Sequence, residues 1–206
     1  MKIAVILSAL ASAAGVLVAA DAHANLYWTP WVSEENGGPW TACTAWNEAA
    51  IGFGCSGSYC DNIRMECQTF YNGLTLNPST DKWTHWFSEE TPPPSDIGTT
   101  STDPPMNAGV CQYGIGIDAV IPGVMTGAHC TGKYCDNMQL ECDQPVKYNG
   151  ATPVPSIATN CQTYGPYSEE NGSQDFGAGR FVSAISCSGK YCDNLTFTVC
   201  SFPAPF

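Results

Sequence analysis

The chain has 206 residues, a formal net charge of −12, and only 13% Asp, Glu, Lys and Arg. An acidic surface poor in Lys and Arg repels phosphate backbones, which argues against nucleic acid as a partner. Abundant Gly, Pro, Ser, Thr and aromatic residues suit a turn-rich, extracellular all-β domain.

Lys2 followed by the apolar run from Ile3 to Ala20, then Ala22-His23-Ala24, reads as a signal peptide over 1–24. The protein is therefore expected to be secreted. No later stretch is apolar enough for a membrane span. All 12 cysteines lie beyond this leader, an even number in an oxidising destination, so six disulfides are expected.

Residues 25–206 read as a single β domain of three repeats, at about 25–70, 80–145 and 160–200. Each opens on an aromatic pair leading into Ser-Glu-Glu. These are Trp28 and Trp31 before Ser33-Glu34-Glu35, Trp83 and Trp86 before Ser88-Glu89-Glu90, and Tyr164 and Tyr167 before Ser168-Glu169-Glu170. Each then reaches a C-x-G-x-Y-C-D-N box, starting at Cys55, Cys130 and Cys187.

Apolar stretches over 50–55, 124–130 and 180–187 lead into the boxes as strands, and an alternating tail follows each box. Ile63, Met65 and Cys67 face one way while Arg64 and Glu66 face the other; Met138, Leu140 and Cys142 oppose Gln139 and Glu141 in the same manner. The third tail has one extra residue, which puts Cys200 out of phase with Leu195, Phe197 and Val199. A β-bulge near Thr198 would restore its direction. The Pro/Thr-rich segment 91–106 reads as an exposed loop, and 149–160 as a linker containing proline.

Within each box, glycine permits a positive φ where the strand reverses, and the Asp-Asn pair can close turns on the backbone. A nested pairing is favoured. Its inner bridges are Cys55–Cys60, Cys130–Cys135 and Cys187–Cys192, and its outer ones Cys43–Cys67, Cys111–Cys142 and Cys161–Cys200. The third repeat argues against it, because Cys161 precedes its Ser-Glu-Glu whereas Cys43 and Cys111 follow theirs, and the spacing leaves the partners open.

The C-x4-C spacing differs from that of zinc sites, so no metal cluster is expected, and calcium is the one ion the Asp-Asn boxes leave open. No nucleophile elbow, HExxH or P-loop occurs. Adjacent strand residues point to opposite faces, so Glu34 and Glu35 do not converge without a bend, and an enzyme is not expected. A glycan-active enzyme working through a Ser-Glu-Glu glutamate is the remaining catalytic alternative. Trp40, Trp46, Trp83 and Trp86, on a surface with Asn, Asp and Glu, are what sugar binding uses. The candidate ligand contacts are Trp28, Trp31, Trp83, Trp86, Tyr59, Tyr134, Tyr191, Asp61, Asn62, Asp136, Asn137, Asp193 and Asn194.

The endings Asp61 to Cys67, Asp136 to Cys142 and Asp193 to Cys200, with the aromatic openings, resemble the repeats of the vitelline membrane outer layer protein I family. The resemblance covers most of the chain beyond the leader, as short motifs. It implies a three-fold pseudo-symmetric β-prism of three four-stranded sheets, and disulfides from each repeat's early cysteine to its terminal one. It also implies an extracellular coat protein with a lectin-like fold that interacts with oligosaccharides. The additional C-x4-C pair in every repeat departs from the family pattern. The expected function is thus lectin-like carbohydrate binding, with a structural coat or matrix role as the alternative. Partners would be an extracellular glycan or coat proteins, and the sequence does not set the oligomeric state.

Overall fold

A computed structural model describes residues 26–34, 40–71, 73–89, 107–114 and 120–203. The leader, the 91–106 loop, Glu35 and Glu90 lie outside the described residues. Among those described there is no α-helix, and no helix long and apolar enough to cross a membrane. The fold is all-β and carries six disulfides.

The alternating tails and the apolar stretches before the boxes form three central hairpins. They are Glu48–Ser56 with Asn62–Thr69, Val124–Thr131 with Asn137–Asp143, and Phe181–Ser188 with Asn194–Ser201. Each box is the turn of its hairpin. On the tail side, each hairpin pairs with the aromatic opening of its own repeat: Leu26–Trp28 and Val32–Ser33, Lys82–Trp83, or Thr159–Tyr167.

On the other side, each hairpin borrows a strand from another repeat. Ser173–Asp175 closes the first sheet, Thr41–Ala42 the second and Ala108–Val110 the third. This exchange is invisible in sequence, because the borrowed strands are two or three residues long. A further sheet joins Thr75–Leu76, Pro145–Asn149 and Thr152–Pro155. The segment expected as a linker therefore contains a strand, held by main-chain pairing from Val146 to Pro155 and from Asn149 to Thr152.

The inward residues of the three hairpins meet in one apolar cluster that includes Phe53, Met65, Met125, Leu140, Ile185 and Phe197. Burying each such side chain stabilises the fold by about 1.5–3 kcal/mol. A second cluster around Ile51, Phe70, Val124, Phe181 and Phe202 lies on the opposite side of the hairpins. Glycine at 52, 54 and 127 lets the adjoining strands and side chains approach: a Cβ on Gly52 would meet the Gln174 carbonyl and the Glu66 side chain.

The cysteines pair in the nested arrangement. The third tail does not behave as its phase suggested. No bulge at Thr198 turns Cys200 inward: Val199 stands opposite Val182, as Cys67 stands opposite Ala50 and Cys142 opposite Met125. Cys200 is one residue further on and joins the second cluster, where it bonds Cys161 on the neighbouring strand. The register shift lies on the partner strand, between Val182 and Ala184, as it does between Ala50 and Gly52 and between Met125 and Gly127.

The consequence is an asymmetry in cross-linking. Cys43 follows the strand lent to the second sheet and bonds Cys67 in the first; Cys111 follows the strand lent to the third and bonds Cys142 in the second. At the remaining junction Phe176 takes the place of the cysteine. Its N–H donates to the Ile51 carbonyl, as those of Cys43 and Cys111 donate to Thr126 and Ser183.

Candidate functional site

The three boxes converge at one end of the hairpins. The rings of Tyr59, Tyr134 and Tyr191 pack together with centroids 5.1–5.2 Å apart. The turn that brings them there is unusual. Tyr59, Tyr134 and Tyr191 all have φ near +60°, and so do the following Cys60, Cys135 and Cys192. Left-handed backbone costs an L-residue about 1–2 kcal/mol, so six such residues need support from their surroundings.

Part of that support comes from the neighbouring box. Sγ of Cys135 lies 3.2 Å from the Asp61 carbonyl oxygen, Sγ of Cys192 lies 3.3 Å from that of Asp136, and Sγ of Cys60 lies 3.8 Å from that of Asp193. Further support comes from the Ser-Glu-Glu triplets. The Tyr134 N–H donates to Glu34 Oε1 at 3.1 Å. The N–H groups of Tyr191 and Cys192 both donate to the Glu89 carboxylate. Consecutive amides in such a turn form a concave nest for an anion, and here the protein fills it with its own glutamate.

Replacing Glu89 by Ala strips both amides of their acceptor, and we expect a loss of about 1–3 kcal/mol in urea unfolding. A change under half of that would show that the carboxylate is dispensable to the turn.

The Asp-Asn pairs are spent locally. Nδ2 of Asn62, Asn137 and Asn194 donates to Oδ1 of Asp61, Asp136 and Asp193 at 2.5–2.8 Å. Among the described residues the one grouping with metal-ligand spacing is Glu89 with Cys187 and Cys192, and both sulfurs belong to a single disulfide. A disulfide sulfur offers no thiolate for a metal.

The aromatic openings differ from sheet to sheet. On the first, the Arg64 guanidinium lies 4.4 Å from the Trp28 ring centre and 4.3 Å from that of Trp31, and donates to Ser173 Oγ. These two tryptophans already hold a cation of the protein's own. On the second, His129 lies 5.0 Å from Trp86 and 6.3 Å from Trp83, and Trp83 meets Trp40 edge-on at 6.2 Å.

At the far end of the second sheet, away from the boxes, a groove of about 530 Å³ opens. Trp40 and Trp46, 56% and 75% exposed, contribute two of its walls, and Glu48, Asp81, Glu141 and Asp143 line its sides. Burial, with Asp81 and Asp143 nearby, pushes the Glu141 carboxyl up to about 7. Glu66, its counterpart on the first sheet, is also raised by burial and by Asp175, but Arg64 pulls it back. Its Oε2 is buried without a hydrogen-bond partner among the described residues. A second hollow, over the third sheet, is lined by small uncharged residues such as Ser186, Thr196 and Thr198 and lacks aromatic walls.

No protein-family model, curated protein or solved structure matches the chain.

Of the residues singled out in sequence, the tyrosines come together, the Asp-Asn pairs lock their own turns, and Trp28 and Trp31 clamp Arg64. The groove rests instead on Trp40 and Trp46 and on carboxylates that sequence reasoning passed over. Glu141 had a visible signal, since it occupies the solvent-facing slot before Cys142 as Glu66 does before Cys67. Asp81 and Asp143 had none.

The Glu141 shift carries a sign. An unfolded glutamate titrates near 4.5, so between about 4.5 and 7 the folded chain holds the extra proton and loses stability as pH rises through that window. Glu141→Gln is expected to raise the melting midpoint by a few degrees at pH 8 and to leave it unchanged at pH 4. Equal midpoints at pH 8 would mean that solvent already screens the charge.

Proposed function

We propose that this is a secreted, non-enzymatic, lectin-like protein that binds an extracellular glycan in the groove of the second sheet. The observation that carries the reading is the pair of exposed tryptophans, Trp40 and Trp46, walling a groove whose sides present carboxylates. A pyranose offers one apolar C–H face and a rim of hydroxyls; an indole stacks on the first, and carboxylates accept from the second. The groove volume falls in the ordinary range for small-ligand sites.

We read the scaffold as a β-prism-like domain with three-fold pseudo-symmetry. The exchange of one edge strand per sheet, the matching bulges and the cluster of three tyrosines support that reading. A glycan-active enzyme working through the Ser-Glu-Glu triplets has less support, because Glu34 and Glu89 accept from backbone amides of the boxes.

A glycan array on the oxidised protein, run with calcium and again with chelator, tests the proposal. Binding to a defined sugar class is expected, and Trp46→Ala or Trp40→Ala should weaken it about tenfold or more. A blank array under both conditions would favour a coat or matrix role instead.

A further inference from the structure

We infer that the groove takes a glycan bearing positively charged amines, a 2-amino-2-deoxy sugar or a short oligomer of it, in preference to neutral or acidic sugars. This rests on the carbohydrate-binding reading and adds to it the charge class of the ligand.

The first and second sheets present the same outward ladder with one substitution that matters. On the first, Arg64 and Glu66 face outward two residues apart, opposite Gly54 and Gly52. The Arg64 guanidinium sits against two tryptophan rings, and at Glu66 its charge opposes the effect of burial and of Asp175. Aromatic faces with neighbouring carboxylates are what a desolvated cation seeks.

The second sheet keeps Glu141 at the place of Glu66, opposite Gly127 as Glu66 is opposite Gly52. It adds Asp81 and Asp143 around it. At the place of Arg64, however, it carries the neutral Gln139, whose side chain donates to the Thr84 carbonyl. The guanidinium of the ladder is gone, the imidazole of His129 opposite Gln139 packs against Trp86 and Trp83 in its stead, and the carboxylates around Glu141 have multiplied.

Among the described residues no Lys or Arg is brought to Glu141 by a neighbouring element, and His129 stands two ladder positions away, opposite Gln139. The strand beside Glu141 is Lys82–Trp83, and Trp83 is the residue opposite Glu141. Lys82 pairs with the core-facing Cys142, so its amine leaves on the other face and reaches the Tyr113 ring and the Gln112 carbonyl. Asp81, Asp143 and burial all act on Glu141 in one direction. Glu48, deeper in the groove, already accepts from the Tyr27 hydroxyl and the Ala45 N–H. Asp143, also buried, accepts from the Thr80 hydroxyl and the Gln144 N–H. A ligand entering between Trp40 and Trp46 therefore meets the carboxylates of Asp81 and Glu141, with the negative charge of the other two behind them. A sugar ammonium answers both, N-acetylation removes the charge, and a uronate is repelled.

The test is a titration of the oxidised full chain, followed by tryptophan fluorescence and calorimetry. The probes are a β-1,4-linked tetramer of 2-amino-2-deoxyglucose, its fully N-acetylated counterpart, a uronic acid tetramer and calcium chloride alone. The free-amine tetramer should bind about tenfold more tightly than the acetylated one. Glu141→Gln should weaken the free-amine tetramer by a larger factor than the acetylated one and so remove most of that preference; Trp46→Ala should weaken both by similar factors. Equal affinity for both tetramers, or a preference for the uronate, would overturn the charge class and leave the glycan reading standing. Saturable calcium binding in the groove that excludes the amine would overturn it too. If no oligosaccharide binds, both proposals fall.

Discussion

A Phe176→Cys/Val199→Cys double variant is expected to close a seventh disulfide and tie the third sheet to the first. Phe176 follows the strand Ser173–Asp175, as Cys43 follows Thr41–Ala42 and Cys111 follows Ala108–Val110. The three main-chain N–H groups donate to equivalent bulge carbonyls, at Ile51, Thr126 and Ser183. Val199 holds the ladder position of Cys67 and Cys142. The two native bridges of this kind span Cα separations of 5.6 and 5.3 Å, inside the range that disulfides tolerate. At the third junction the Phe176 ring stands 5.2 Å from Phe197 and 5.3 Å from Tyr164, so packing does there what a covalent bond does elsewhere.

Each single variant should lose stability, about 2–3 kcal/mol for Phe176→Cys and about 1 kcal/mol for Val199→Cys. A bridge closing a loop of this length contributes about 3–4 kcal/mol by chain-entropy arithmetic. The double variant should therefore exceed the sum of the singles by about 3 kcal/mol in a double-mutant cycle. Its intact mass should show two hydrogens lost and no thiol open to alkylation. Two reactive thiols in the folded double variant would refute the equivalence of the junctions.

Part of this architecture was legible in the sequence. The tails announced their strands because Ile63, Met65 and Cys67, or Met138, Leu140 and Cys142, alternate with charged and polar neighbours, and burial enforces that phase. The out-of-phase Cys200 was visible, but not its meaning. A phase rule assumes one buried face, whereas the far end of this hairpin is buried on both sides, so Cys200 had a second core to enter. The borrowed strands were illegible because two or three residues carry no period.

The groove was half legible. Trp40 and Trp46 stood out as aromatics on an acidic surface, yet the repeated openings drew attention to Trp28, Trp31, Trp83 and Trp86, and repetition marks the scaffold at least as strongly as it marks the site. Glu141 and Asp143 belong to the second repeat and Trp40 and Trp46 to the first. Their meeting depends on the exchanged strand Thr41–Ala42, which carries the chain from Trp40 onto the second sheet.

The other large effect is expected at the box glycines. Gly132 has φ +79° and ψ −179°, a region essentially reserved for glycine, and Gly57 and Gly189 share it, at φ 80°, ψ −170° and φ 77°, ψ −179°. A Cβ on Gly132 would collide with Asp136 Oδ1 and crowd Asn137 Nδ2, the two atoms whose hydrogen bond closes the turn. Alanine therefore adds backbone strain and breaks the lock at once. Downstream, Tyr134 and Cys135 hold left-handed conformations that the turn imposes, and the Tyr134 N–H must stay aimed at Glu34. We expect Gly132→Ala to cost about 3 kcal/mol or more, combining strain with the displaced pair. Gly150→Ala is the internal control. Its φ is +62°, but an added Cβ there meets nothing within 4 Å, so the cost is that of a left-handed L-residue alone, about 1 kcal/mol. Urea unfolding of the two variants separates the terms. If Gly132→Ala falls no further than Gly150→Ala, the Asp-Asn lock is not what holds the box, and the tyrosine cluster owes its position to the disulfide and the glutamate nest instead.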